Sequence, residues 1–109
     1  MKVELTQQSR LKDLDFNNLP FGKNMSDHML VCHFKNGVWQ EPEIRPYGQL
    51  EFSYGLHALH YGQSAFEGMK AYKDDNDDVF LFRPDQNIER INLSSKRMAI
   101  PEFPKDVFL

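Results

Sequence analysis

Residues 68 to 98 constrain the fold more than any other stretch. Gly68-Met69-Lys70-Ala71-Tyr72-Lys73 and Val79-Phe80-Leu81-Phe82-Arg83 read as two strands, and Asp74 to Asp78 form a turn between them. Pro84 then opens a helix expected to run to about Met98, since proline has a helix-compatible φ and lacks an N–H that the first turn could not pair anyway. Ile88, Ile91 and Met98 fall at spacings of three and seven, on one face of that helix. Asp85 and Glu89 lie toward its start and Lys96 and Arg97 toward its end, in accord with the helix dipole. Strands followed at short range by a helix predict an α+β fold, a small mixed or antiparallel sheet with packed helices.

Upstream the pattern is looser. Residues 1–20 read as a polar arm with Leu5, Leu11, Leu14 and Phe16 as docking points. Met29 to Phe34 and Val38 to Gln40 predict a strand pair turned at Lys35-Asn36-Gly37, because Asn-Gly suits a tight hairpin. Pro42 and Pro46 mark extended connecting chain, and Leu50 to Ser53 reads as a further short strand. Leu56 to Phe66 predicts a short helix ended near Gly68, although Gly62 lies inside it.

Composition excludes several function classes. Thirteen basic and 16 acidic residues leave a net charge of -3, and the run Lys73, Asp74, Asp75, Asp77, Asp78 holds all of it. Without a basic face, nucleic acid is not an expected partner. No apolar run reaches membrane-spanning or signal-peptide length, so a membrane partner is not expected either. Cys32 is the single cysteine; it reads as a small buried hydrophobe and fits a reducing, cytoplasmic location. At 109 residues the chain should bury roughly two thirds of its unfolded surface, enough for one core. Its last residues, Val107-Phe108-Leu109, begin a helical turn after Pro104 with no capping signal, so the chain is expected to be cut inside an element.

Chemistry is sparse on spacing alone. The aspartates lack the glycine and distal glutamate of a calcium loop and read as a solvated hairpin tip. His57 and His60 have no third ligand fixed by spacing, so no metal site is expected. Gly62-Gln63-Ser64-Ala65-Phe66 lacks the last glycine of a nucleophile elbow. Arg90 and Arg97 share a helix face with Ser94 between them, which is either a solvated basic stripe or a phosphate-holding fork.

Three runs carry a resemblance to a known family. Phe21-Gly22-Lys23-Asn24-Met25-Ser26-Asp27-His28-Met29 resembles the entry segment of branched-chain amino-acid aminotransferases, fold-type IV enzymes that use pyridoxal phosphate. Ala58-Leu59-His60-Tyr61-Gly62-Gln63-Ser64-Ala65-Phe66-Glu67-Gly68-Met69-Lys70-Ala71-Tyr72 and Leu81-Phe82-Arg83-Pro84-Asp85-Gln86-Asn87-Ile88-Glu89-Arg90 resemble that family's signatures, in its order. The Asp27-His28-Met29 and Leu81-Phe82-Arg83-Pro84 versions point to the branched-chain enzymes rather than to D-amino-acid aminotransferases or aminodeoxychorismate lyases.

The resemblance implies a division into an arm (1–20) and part of a small N-terminal domain (21–109), with the large catalytic domain outside this chain. It implies that Arg90 holds the cofactor phosphate, and that Phe21, Tyr61 and Phe66 line the pocket for a branched aliphatic side chain. It further implies branched-chain amino acids and 2-oxo acids as substrates, and a homodimer. None of the eight lysines (2, 12, 23, 35, 70, 73, 96 and 105) lies in a segment like the one that carries the family's Schiff-base lysine. No catalytic residue is therefore expected here, and the chain alone is expected to be inactive. The alternatives are a stand-alone binding or dimerisation module, or another fold-type IV member.

Overall fold

A computed structural model describes residues 1–109. The chain divides into two units, Met1–Glu51 and Phe52–Leu109. It is mixed α and β, with short, mostly antiparallel strands and three helices, as the sequence pattern predicts.

In the first unit, β1 (Lys2–Val3), β2 (His28–Val31) and β5 (Glu43–Pro46) make a sheet in the order β1-β5-β2. β5 runs parallel to β1 and antiparallel to β2, which brings Val3, Ile44 and Leu30 into one apolar row. The stretch between Pro42 and Pro46, expected as connecting chain, is thus the middle strand of a sheet. Pro46 is tolerated because it stands at the strand's end, and the next amide, that of Tyr47, donates to the Asp27 carbonyl at 2.9 Å.

The expected strand from Met29 to Phe34 breaks at Cys32 and His33, where the chain changes partners. Beyond the break β3 (Phe34–Lys35) pairs with β4 (Val38–Trp39) around Asn36 and Gly37, both at positive φ (54° and 80°). Left-handed backbone at both central positions makes the type I′ turn that matches strand twist, so here the Asn-Gly expectation holds. Phe34 and Trp39 face each other across the pair, edge to face, with centroids 5.1 Å apart. Cys32 is only half-buried, and its thiol donates to the Gln40 carbonyl.

The arm docks through polar groups, contrary to the expected apolar points. The Arg10 amide donates to the Asp27 carboxylate at 3.0 Å, and the Arg10 guanidinium lies over the Tyr47 ring. Leu5, Leu11 and Phe16 stay exposed, and only Leu14 is half-buried.

In the second unit, α1 (His57–Tyr61) ends five residues before the expected Phe66. Gly62 adopts the left-handed conformation (φ 62°) that closes a helix, and its amide returns to the His57 carbonyl. Leu50 to Ser53, predicted as a strand, forms none, having no partner strand beside it. β6 (Ala71–Lys73) and β7 (Val79–Leu81) form the expected hairpin, with an acidic tip tied by the Asp74 carboxylate to the amides of Asn76 and Asp78.

α2 (Pro84–Arg97) starts and ends where predicted, to within a residue. Ile88 is fully buried and Ile91 half-buried, but Met98 is exposed; Asn92 and Ser95 occupy the buried face instead. Asn92 explains this polar burial. Its side chain accepts from the Phe103 amide (2.8 Å) and donates to the Phe103 carbonyl (2.9 Å), satisfying both groups of a returning strand of chain. After the helix, Ala99 takes the left-handed position (φ 54°), while Ile100 bonds back to Ser95 and Ala99 to Lys96. These are the two bonds of a Schellman closure, formed around an alanine. α3 (Lys105–Phe108) follows Pro104, which stands just before the helix rather than in its first turn.

Ile88 is the one apolar residue fully removed from solvent, and the chain exposes 9502 Å². Two independent folded bodies of these sizes would expose about 7,500 Å² together. About half of the unfolded surface is buried, less than the two thirds expected from length. The shortfall is spread over the chain, from Leu5, Phe16 and Phe21 to Tyr54, Tyr61 and Phe66, and the hairpin β6–β7 adds to it with Tyr72, Phe80, Leu81 and Phe82 exposed. No helix is long and apolar enough to cross a membrane.

Candidate functional site

Arg90 lies in the middle of α2, and its partner comes from the loop before β6. The Arg90 Nε–H donates to Glu67 Oε2 at 2.6 Å and its Nη2 to Glu67 Oε1, a two-pronged ion pair. Asn87, one helical turn earlier on the same face, donates from Nδ2 to Glu67 Oε1 and to the Gly68 carbonyl, both at 2.9 Å. The Glu67 side chain is 7% exposed, whereas that of Arg90 is 63% exposed. The buried member is therefore the carboxylate, held at three points, and the cation reaches outward from it. The Arg90 guanidinium, with help from Asn87, holds the Glu67 carboxyl below its usual range.

A guanidinium carries five N–H donors. Glu67 engages Nε–H and one hydrogen of Nη2, so the Nη1–Nη2 edge keeps a complete fork. Arg90 also lines a cleft of about 400 Å³ together with Phe82, Arg83, Gln86 and Asn87. Its two guanidinium side chains supply the donor chemistry of an anion site, whereas the Gln86 and Asn87 amide hydrogens are already given to Asp85 and Glu89 and to Glu67 and Gly68. A larger groove, about 580 Å³, lies along Tyr72, Phe80, Leu81 and Phe82; it is apolar and offers no charged group.

The pocket-lining residues implied by the resemblance all stand in the open. Phe21 is 100% exposed in a turn of the first unit, while in the second Tyr61 is 80% and Phe66 86% exposed. Tyr61 ends α1 with its ring edge-on to His57, and the Phe66 ring lies close to Gly68. Phe66 thus immediately precedes Glu67, so one extended run carries an aromatic ring and the anchor of Arg90. Arg97 is exposed at the helix end. His57 and His60 point to different partners, Gln63 and the Tyr54 carbonyl, and no group of three or more candidate metal ligands gathers anywhere in the chain.

Glu67 and Asn87 are the site residues that spacing could not disclose. Both stand inside the signature runs, yet a carboxylate 23 positions from an arginine carries no periodic signal.

Curated proteins match the chain closely. It is 41% identical over 110 residues to branched-chain-amino-acid aminotransferase 2 of Bacillus subtilis, covering 100% of this chain and 30% of that protein. Over most or all of its length this chain is similar to branched-chain-amino-acid aminotransferases. It is 43% identical over 96 residues to branched-chain-amino-acid transaminase 1 of the same species, covering 87% of this chain and 27% of that one. A relative from Dictyostelium discoideum is 44% identical over 108 residues, 98% of this chain and 29% of its own length. The chain thus spans about 30% of the length of the curated relatives it matches. No family model matches it.

Proposed function

We propose that this chain is the small-domain portion of an enzyme that exchanges the amino group between leucine, isoleucine or valine and 2-oxoglutarate, with pyridoxal phosphate as cofactor. The match to named branched-chain aminotransferases across the whole chain carries this reading. Residues 1–20 are an arm on that portion, and 21–109 are part of a small domain whose pocket is completed elsewhere in a homodimer. The two arginines support a role toward the cofactor's phosphate: Arg90 keeps an open fork, and it lines a cleft together with Arg83. When bound, pyridoxal phosphate supplies the carbonyl and the electron-withdrawing ring that amino-group transfer requires.

The residues of this chain bind and orient. Arg90 donates to the phosphate and keeps its charge at any working pH. Phe21, Tyr61 and Phe66 offer apolar area to a branched side chain, worth about 0.8 kcal/mol per buried methylene. Each of the three is exposed in the chain by itself, which leaves its apolar area free to be covered. The lone Cys32 supports a reducing, cytoplasmic setting. The same surface disfavours a stand-alone module, which would leave these rings in water.

Incubating the chain with pyridoxal phosphate and reducing with borohydride is expected to leave no specific lysine adduct. A stoichiometric adduct at one of the eight lysines would place the catalytic base here after all. In a protein containing this chain, Arg90→Ala is expected to weaken cofactor retention more than it alters substrate preference, and the reverse pattern rejects the phosphate role. Phe66→Ala is expected to raise KM for branched substrates and leave that for glutamate nearly unchanged.

A further inference from the structure

We propose that Glu67 is a positioning residue that aims Arg90 at the anion, a role that rests on the phosphate reading of Arg90. The geometry is directional. Glu67 is the buried partner, fixed by Asn87 and by its place beside Gly68, while Arg90 is the exposed one. A carboxylate gripping the Nε–Nη2 edge prescribes the plane of the guanidinium and leaves the Nη1–Nη2 edge as the one complete fork. An unrestrained arginine surrenders substantial rotamer freedom when it captures a ligand, whereas one already held gives up little. Asn87 extends the argument by one shell, because its carboxamide stops the Glu67 carboxylate from turning.

Simple electrostatics makes the opposite prediction, which exposes the idea to a clean test. Glu67 places a negative charge beside the cation, so removing it should strengthen anion binding if charge alone matters. Positioning requires that removing it weaken anion binding.

The readout is the ratio of affinities for pyridoxal phosphate and for pyridoxal, which lacks the phosphate. It is measured by titration on wild-type protein and on Glu67→Gln, Glu67→Ala and Arg90→Ala. Positioning predicts that both Glu67 variants lower the ratio about tenfold and that Arg90→Ala lowers it at least as far. A ratio that rises or stays constant in the Glu67 variants, while Arg90→Ala lowers it, overturns the positioning role and leaves the Arg90 reading intact. An unchanged ratio in Arg90→Ala overturns both. Equal loss of both ligands in the Glu67 variants means a purely structural role and also overturns the proposal. Should the Glu67 variants not fold, the wild-type Arg90 Nε–H resonance decides. The proposal requires it to be a single line protected from solvent exchange before any ligand is added, and a fast-exchanging, averaged line rejects it.

Discussion

Arg90 has the same side chain as Arg97, yet the two have different prospects because of one buried carboxylate. The sequence placed both on one helix face; only the fold supplies Glu67 to the first. This was illegible beforehand because the pair joins a loop to a helix without a repeating interval. The pair also has a pH signature. Since Arg90 and Asn87 hold the folded Glu67 carboxyl below its usual range, their stabilisation is complete at and above that range. It is lost as pH falls through the depressed value, on the acid side of ordinary glutamates. Carbon-13 titration of the Glu67 carboxyl is expected to give a midpoint below that of free glutamate, shifted upward by Arg90→Ala; an unshifted midpoint contradicts the pairing. Asn92 is the other residue with disproportionate weight. Asn92→Ala removes both side-chain hydrogen bonds to the Phe103 backbone and is expected to destabilise the chain by about 1–3 kcal/mol, read from denaturant unfolding.

Elements with local punctuation were readable from sequence, and those held by distant partners were not. Pro84 announced α2, and Asn36-Gly37 announced a hairpin, because each fixes backbone angles by its own chemistry. β5 was missed since Pro42 before it and Pro46 at its end argue for a connector, and its partners lie in the arm and in β2. The end of α2 shows the same limit. No glycine marks it, yet Ala99 takes the left-handed turn because the Ser95 and Lys96 carbonyls are capped that way. An L side chain is strained there, so Ala99→Gly is expected to raise stability by about 1 kcal/mol, seen as a higher thermal midpoint. A lower midpoint would mean that the alanine methyl contributes more by packing than it loses in backbone strain.

At the scale of the whole molecule, many large apolar side chains stay exposed and one isoleucine is fully buried. That raises the question of what keeps copies apart while the surface is bare. The hairpin β6–β7 is an unprotected two-stranded ribbon, apolar along Val79-Phe80-Leu81 and open at both edges, a template for pairing with another copy. Its tip carries the whole net charge of the chain. Two ribbons that align tip beside tip bring these aspartates together, so the tip acts as a colloidal gatekeeper for the strands behind it. Screening should disarm it, because the reach of such repulsion shrinks from about 30 Å at 0.01 M salt to about 10 Å at 0.1 M. Light scattering from the chain is expected to increase with salt across that range, and an Asp75→Asn, Asp78→Asn double variant should scatter in low salt as the parent does in high. Scattering that ignores both changes would leave the acid cluster with no part in solubility. Otherwise those aspartates, with no part in the candidate site, are expected to set how long the bare chain survives as single molecules.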